Sequence, residues 1–274
     1  MKRIWMITGA SRGLGAQIAA AVLAHGDSVV ATARRKESIA LDGQSHHILA
    51  LSMDVTNQAQ VQAGVRAATE RFGRIDVLVN NAGYGLLGAI EESSAEEIEA
   101  IYRTNVFGLL NVTRAVLPVM RGQGAGHILN MSSLGGYQAS AGWGIYGSTK
   151  FAVEGITEAL YEELRPLGVH ATAIEPGFFR TDFMDGTSLQ RTKVQMDAYS
   201  ATVGKIRSFA DENNRQQPGD PAKLARVLIE IVEAPEPPVR LQVGPDAVRR
   251  IEAKNAAVAA EIEVWRTLSE STNF

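Results

Sequence analysis

Lys2-Arg-Ile-Trp-Met-Ile-Thr8-Gly9-Ala10-Ser11-Arg12-Gly13-Leu14-Gly15 is the stretch on which the fold turns. Residues 4–7 form an apolar run of strand length, and residues 17–25 have helical spacing. Between them lies a loop with the spacing Gly-x-x-x-Gly-x-Gly, a departure from the commoner Gly-x-Gly-x-x-Gly. Glycines in such a loop permit a tight turn and bring backbone N–H groups close to a pyrophosphate at the positive end of a helix. A bare glycine turn is the alternative. The strand before and the helix after favour a dinucleotide loop holding Gly9, Ser11, Arg12, Gly13, Leu14 and Gly15.

Working outward, strand-length apolar runs recur at 28–33, 48–51, 77–79, 127–131, 169–174 and 239–243, with helical spacing over 58–72, 95–120 and 145–164. This alternation predicts an α/β fold: one Rossmann-like, doubly wound domain over residues 1–274, with a seven-stranded parallel sheet covered by helices on both faces. Residues 185–218 interrupt the rhythm with a long mixed interval, read as a mobile lid over a substrate cleft. Residues 245–274 have helix-forming composition and predict a C-terminal helical extension packed on the body or on a neighbouring subunit.

Composition excludes several functions. The net charge of −3 and 21% charged residues lack the basic surface that grips nucleic acid. The chain has no cysteine, hence no disulfide, thiolate nucleophile or cysteine-ligated metal, which suits a cytoplasmic protein. The apolar run at the start is too short for a signal peptide, and no stretch is long enough to span a bilayer. Adjacent His46 and His47, read as strand residues, would point to opposite faces, so no metal is expected.

At the end of the second run, Ala31-Thr-Ala-Arg34-Arg35 stands where an NAD-preferring site carries an acidic residue for the ribose 2′-hydroxyl. Arg34, neighboured by Arg35 and joined by Arg12, offers planar cations for a 2′-phosphate, so the expected cofactor is NADP(H). Asp54 and Val55 follow the third run and are placed to meet an adenine. Asn80-Asn81-Ala82-Gly83 follow the fourth, beside the ribose. Either segment could equally be a turn or a cap.

Tyr146 and Lys150 stand four apart on a predicted helix, thirteen residues after Ser133. A lysine ammonium beside the phenol would lower its pKa from about 10 and make it a proton donor and acceptor for alcohol and carbonyl chemistry. With Thr8 to Gly15, Asp54, Asn80 to Gly83, Asn105, Ser133, Tyr146, Lys150 and Pro176-Gly-Phe-Phe-Arg-Thr181 in order, the chain resembles the short-chain dehydrogenase/reductase family from Lys2 to about Val243. The resemblance implies the strand order 3-2-1-4-5-6-7. It implies that Tyr146 exchanges the proton, that Ser133 binds the substrate oxygen, and that Lys150 holds the nicotinamide ribose and lowers the Tyr146 pKa. It further implies that Asn105 holds a water linking Lys150 to solvent, and that Pro176, Gly177 and Thr181 pass the nicotinamide. The segments Ser133-Leu-Gly-Gly and Lys150-Phe-Ala-Val-Glu-Gly are similar to those of hydroxysteroid and retinol dehydrogenases.

Tyr84, Leu134, Gln138, Trp143, Phe178, Phe179, Phe183 and Met184 neighbour these motifs and are expected to border the substrate. Their apolar character favours a ketone, aldehyde or secondary alcohol on a hydrophobic body, with Arg180 as a cationic exception. Ala152 and Gly155 on the Tyr146 helix leave room for a second helix, and the family habit implies a homodimer or homotetramer. The rivals are a catalytically silent NADP-sensing protein and an epimerase or dehydratase using the same tyrosine and lysine. The sensor has no use for a proton donor, and the second rival is disfavoured by the lack of a substantial added substrate domain.

Overall fold

A computed structural model describes residues 2–274. Nine strands and eight α-helices follow in chain order. They are β1 (Ile4–Thr8), α1 (Gly13–His25), β2 (Ser28–Ala33), β3 (Ile48–Ser52), α2 (Gln58–Phe72), β4 (Val77–Asn80), β5 (Gly85–Leu87), α3 (Ala95–Tyr102) and α4 (Leu109–Gln123). After these come β6 (Gly126–Met131), α5 (Gly144–Leu164), β7 (Val169–Pro176), β8 (Leu189–Arg191), α6 (Lys205–Glu212), α7 (Pro221–Glu233), β9 (Arg240–Val243) and α8 (Pro245–Glu270).

Seven strands form one parallel sheet in the order β3-β2-β1-β4-β6-β7-β9. Counting only these strands, the order is 3-2-1-4-5-6-7, as expected. Strand alternation divides the core in two. Met6, Val30, Leu78 and Ile128 face one way, into a cluster with Val61, Val65, Val112, Val116 and Leu160 of α2, α4 and α5. Trp5, Ile7, Val29, Val79 and Leu129 face the other, onto Ile18 and Val22 of α1 and Leu224 and Leu228 of α7. With both faces covered, the inner strands are continuous apolar runs rather than alternating ones, which is why they were conspicuous in the sequence.

Local signals end the helices where the chain must turn. The Asn57 side chain accepts from the Gln60 N–H to start α2, and Gly73 closes it at φ +76. Reversal at β1–β4–β6 opens a crevice at the carboxyl ends of the strands, the place where ligands bind in such sheets.

Three expectations need correction. The helix predicted over 95–120 is broken: Arg103–Gly108 forms a π-helical turn between α3 and α4. Such a turn inserts one extra residue per hydrogen-bonded ring and commonly marks a functional position. His46 and His47 lie in a 3₁₀ turn with ring centroids 4.1 Å apart, so the argument from strand faces does not apply to them. The interval 185–218 is a folded flap, not a long loop. Its β8 pairs with β5 in a second, two-stranded parallel sheet, and the buried Glu92 side chain holds it by pairing with Arg207 and accepting from the Met196 N–H at 2.8 Å.

The C-terminal extension consists mainly of α8. Ala247 and Ile251 are buried against the body, whereas Trp265 and Leu268 near its end are 60% and 64% exposed. No helix among the described residues is long and apolar enough to cross a membrane.

Candidate active site

The glycine loop is tied to the end of β4. The Thr8 hydroxyl accepts from the backbone N–H groups of Asn81 and Ala82 at 3.0 Å each, while Asn81 Nδ2 donates to the carbonyls of Thr8 and Gly9 at 2.9 and 3.1 Å. Gly9 and Gly13 lie in the left-handed region at φ +66 and +54, which favours glycine. Gly15 has a different reason: a Cβ there would stand 2.3 Å from the Gly9 carbonyl oxygen, so its role is close packing of α1 on the loop, behind the cavity wall. The first turn of α1 holds no acidic side chain and its N-cap residue, Arg12, makes no side-chain cap. Its amides thus offer a positive end to an anion.

A cavity of about 950 Å³ runs from this loop across the strand ends. Ser11, Arg12, Leu14, Arg34, Asp54, Val55, Ala82, Gly83, Pro176, Gly177 and Thr181, the residues read from the sequence as a cofactor site, border it. Arg35 does not: it is exposed and leads into a 3₁₀ turn beside the pocket. Asp54 spends one carboxylate oxygen on its own turn, accepting from the Thr56 N–H at 2.9 Å and hydroxyl at 2.8 Å. Arg12 does not join Arg34. It reaches instead to the flap, 3.1 Å from the Ser188 hydroxyl and 3.4 Å from an Asp182 carboxylate oxygen. Arg34 has no side-chain hydrogen bond or ion pair among the described residues.

Ser133 follows β6, and its hydroxyl accepts from the Gly135 N–H at 3.0 Å to start a short turn. Tyr146 stands in the first turn of α5 with its ring between Trp143 and Phe183, at centroid distances of 5.7 and 5.8 Å. One helical turn on, Lys150 lies with Nζ 5.7 Å from the Tyr146 ring centroid and donating to the Met131 carbonyl at 2.7 Å. Ser133, Tyr146 and Lys150 all border the cavity.

The electrostatics correct the sequence argument. Burial pushes the Tyr146 phenol up to about 12, with a hydrogen bond from Ser133 pulling the other way. Burial likewise brings Lys150 down to about 8, opposed by the charge of Glu154. Loss of water raises the phenol more than the Ser133 hydrogen bond lowers it, so at neutral pH Tyr146 holds its proton.

Asn105 lies in the π-helical turn and is buried. Its side chain accepts from the Tyr84 N–H at 3.1 Å and donates to the Tyr84 carbonyl at 2.9 Å and the Thr149 hydroxyl at 3.2 Å. It therefore fixes the segment after β4 against α5.

Tyr84, Leu134, Gln138, Trp143, Phe178, Phe179, Phe183 and Met184 all border the same cavity. Ile206 and Phe209 of α6 and Arg250 of α8 complete that end and were missed. Phe178 and Phe209 lie with ring centroids 6.0 Å apart. Arg250 donates to the Gln138 side-chain oxygen at 2.8 Å and to the Ser140 hydroxyl. One helical turn earlier in α8, Asp246 accepts from the Phe178 N–H at 2.7 Å, and a Cβ on Gly177 would stand 2.2 Å from the same carboxylate.

A glycine loop at a helix N-terminus and a serine, tyrosine and lysine gathered at the strand ends define a nucleotide-binding α/β protein of the Rossmann type. Comparison places it more narrowly. The chain belongs to the short-chain dehydrogenase family, which matches over residues 3–192. It is 40% identical over 272 residues, 98% of each chain, to Oxidoreductase BOA17 of Botryotinia fuckeliana. It is 37% identical over 244 residues to the 3-ketodihydrosphingosine reductase of Bacteroides thetaiotaomicron, covering 89% of this chain and 88% of that one. Among solved structures, a short-chain dehydrogenase from Streptomyces avermitilis superposes with a TM-score of 0.91 at 37% identity, over 100% of this chain and 99% of that chain. A family member from Burkholderia phymatum in complex with NAD superposes with a TM-score of 0.83 at 26% identity, over 95% of each chain. A serine dehydrogenase complexed with NADP⁺ gives a TM-score of 0.74 at 28% identity, over 88% of this chain and 94% of that one. The protein is an oxidoreductase with a nicotinamide-binding fold.

Proposed function

We propose that this oxidoreductase uses NADP(H) to interconvert a ketone or aldehyde and its alcohol on a mainly hydrophobic substrate. The observation that carries the reading is the gathering of Ser133, Tyr146 and Lys150 on one cavity with the glycine loop. The cavity suits the cofactor. Gly9 and Gly13 turn the chain where a side chain would be strained, the α1 amides face an anion without acidic competition, and Arg34 is a cation without a partner among the described residues. Arg34 alone, not Arg35 or the flap-bound Arg12, is then the residue for a 2′-phosphate.

When bound, the nicotinamide supplies or accepts hydride. The chain's own residues handle the proton. Tyr146, protonated at neutral pH, donates to the substrate carbonyl oxygen, a stance that favours reduction. The Ser133 hydroxyl holds the same oxygen in line. Lys150 carries the positive charge beneath the phenol ring and is suited to hold ribose hydroxyls. Trp143, Phe178 and Phe183 exclude water from the reacting atoms, and Ile206 and Phe209 extend that apolar wall over the substrate body. Arg250 gives the apolar end one cationic corner, fit for a polar oxygen away from the carbonyl. The relative named as a 3-ketodihydrosphingosine reductase supports a ketone as substrate.

The protein is also read as a cytoplasmic homodimer or homotetramer, with the faces of α4 and α5 meeting their copies across a twofold axis. Phe107, before α4, and Phe151, on α5, are 56% and 45% exposed, and a Cβ on Gly155 meets nothing within 4 Å. Light scattering is expected to give a multiple of 29.4 kDa; a monomer at micromolar concentration would reject this assembly.

The deciding experiment titrates NADPH and NADH, then screens NADPH oxidation against a panel of ketones and aldehydes. Tighter binding of NADPH and turnover of at least one apolar carbonyl are expected. Equal affinities would end the NADP(H) reading, and silence across a broad panel would favour the sensor.

A further inference from the structure

One helical turn beyond Lys150 on α5, Glu154 enters a buried cluster that none of the chemistry above employs. Glu154 and Glu175, on α5 and β7, are 6% and 0% exposed. Arg240 of β9 donates to Glu154 Oε2 at 3.1 Å, lies 3.7 Å from Glu175 Oε1, and also pairs with Glu158. Gln242 of β9 donates to Glu175 Oε2 at 2.8 Å. That leaves Glu154 Oε1, Glu175 Oε1 and the Ser132 hydroxyl buried with no hydrogen-bond partner among the described residues when both carboxyls are bare.

Such orphaned oxygens are costly, and two ionised carboxylates cannot bond to each other. Three carboxylates would moreover share a single guanidinium. The carboxyls of Glu154 and Glu175 are hydrogen-bonding neighbours, and Ser132 is within reach of Glu154. A single proton between the pair, with the Ser132 hydroxyl donating to Glu154, gives the orphaned groups partners.

We propose that Glu154 is a positioning residue for Lys150: a carboxylate one turn away that keeps the buried ammonium charged, itself held singly charged by a proton that Glu175 donates to it. The proposal rests on the reading of Lys150 as the cation beneath Tyr146. The charged and titratable groups around the pair are Lys150 and Glu158 from α5 and Arg240 from β9, with Ser132 after β6 and Gln242 from β9 as neutral partners. Burial raises both carboxyls, Glu175 to about 7, and the Glu154 charge raises Lys150 against a burial that otherwise lowers it. Without Glu154, the Lys150 ammonium loses its proton at lower pH.

Two variants separate this from a structural role. In Glu175→Gln the amide donates to Glu154 and its carbonyl accepts from Gln242, as the protonated carboxyl does. In Glu154→Gln the charge beside Lys150 is gone. Infrared spectroscopy of the cofactor-free protein at pH 6 is expected to show a protonated-carboxyl band that Glu175→Gln removes. NADPH affinity and kcat/KM are followed from pH 6 to pH 9; at pH 6, where Glu175 keeps its proton, they should be unchanged in Glu175→Gln. In Glu154→Gln their basic limb should move down by about one pH unit, a roughly tenfold loss above pH 8 that vanishes at pH 6. A band insensitive to Glu175→Gln, or Glu154→Gln curves parallel to those of the unmutated protein, would overturn the proposal. Should no carbonyl be turned over, the functional reading fails, while the infrared band and the pH dependence of NADPH affinity still judge the pair. Failure to bind either nicotinamide nucleotide would remove Lys150's role and the proposal with it.

Discussion

The cofactor end and the substrate end of the cavity are built by different means. The first is made of short segments that each follow a strand: residues 8–15 after β1, Arg34 after β2, Asp54 after β3 and residues 81–83 after β4. In the proposed reading much of its recognition is by backbone N–H, so its residues are chosen by the conformation they allow. The second joins the turn after β6 to α6 and α8, with contacts such as Arg250 to Gln138 that span 112 positions in sequence. An end made of local geometry can act the same way in many proteins, whereas an end made of long-range side-chain contacts is free to differ in each.

Tyr146 sits where the two ends meet, and its loss should have the largest effect. Tyr146→Phe keeps the ring between Trp143 and Phe183 and removes only the hydroxyl proposed to donate the proton. Turnover is expected to fall by about 10²- to 10⁴-fold, with NADPH affinity within twofold of the unmutated value, measured by steady-state kinetics and fluorescence titration. Residual turnover near the original level would take the proton away from Tyr146.

That difference between ends also decided what could be read in advance. All seven strands of the main sheet, Gly9 and Gly13, and the Tyr146–Lys150 pair were legible because apolar runs, glycines and helical spacing are properties of neighbouring residues. The π-helical turn at Arg103–Gly108 was not, because it replaces the hydrogen bonds of an ordinary helix without leaving a compositional mark. The strand inside the flap was not legible because β8 has only three residues and finds its partner in β5, about a hundred positions earlier. Arg35 was misplaced for the opposite reason: neighbours at a strand end diverge, and only Arg34 turns to the cavity. The Tyr146 pKa was misjudged because a charge partner is visible in sequence and desolvation is not.

If the ends are separable, the flap should fail without the nucleotide site. Glu92 is the test, since its carboxylate takes Arg207, the Met196 N–H and, at 2.7 Å, the Ala89 N–H. Glu92→Ala strands a guanidinium that is only 11% exposed, and breaking such a pair costs about 3 to 5 kcal/mol. Limited proteolysis is expected to cut within 185–218 while NADPH binding persists. Simultaneous loss of nucleotide binding would show that the two ends form one cooperative unit.

Arg34→Ala tests the cofactor end alone. Charge-assisted hydrogen bonds of this type are worth about 1.5 to 3 kcal/mol, so NADPH should bind roughly 10- to 100-fold more weakly and NADH unchanged. An equal loss for both nucleotides would assign Arg34 to the fold rather than to the 2′-phosphate.

The smallest effect belongs to Arg250, and it reads the separation most finely. Its guanidinium crosses from α8 to Gln138 and Ser140 in the segment that begins at Ser133, so α8 both closes the substrate end and steadies the approach to the serine. Arg250→Gln keeps a donor and removes the charge. For apolar ketones, KM and kcat should stay within about twofold, because the apolar wall makes their contacts. For ketones bearing a distal carboxylate, KM should rise by roughly tenfold with kcat and NADPH affinity unchanged, the pattern left by losing about 1.4 kcal/mol of uniform binding. A fall in kcat for every ketone would instead mean that Arg250 acts through the Ser133 segment, and the substrate end would then reach into the chemistry itself.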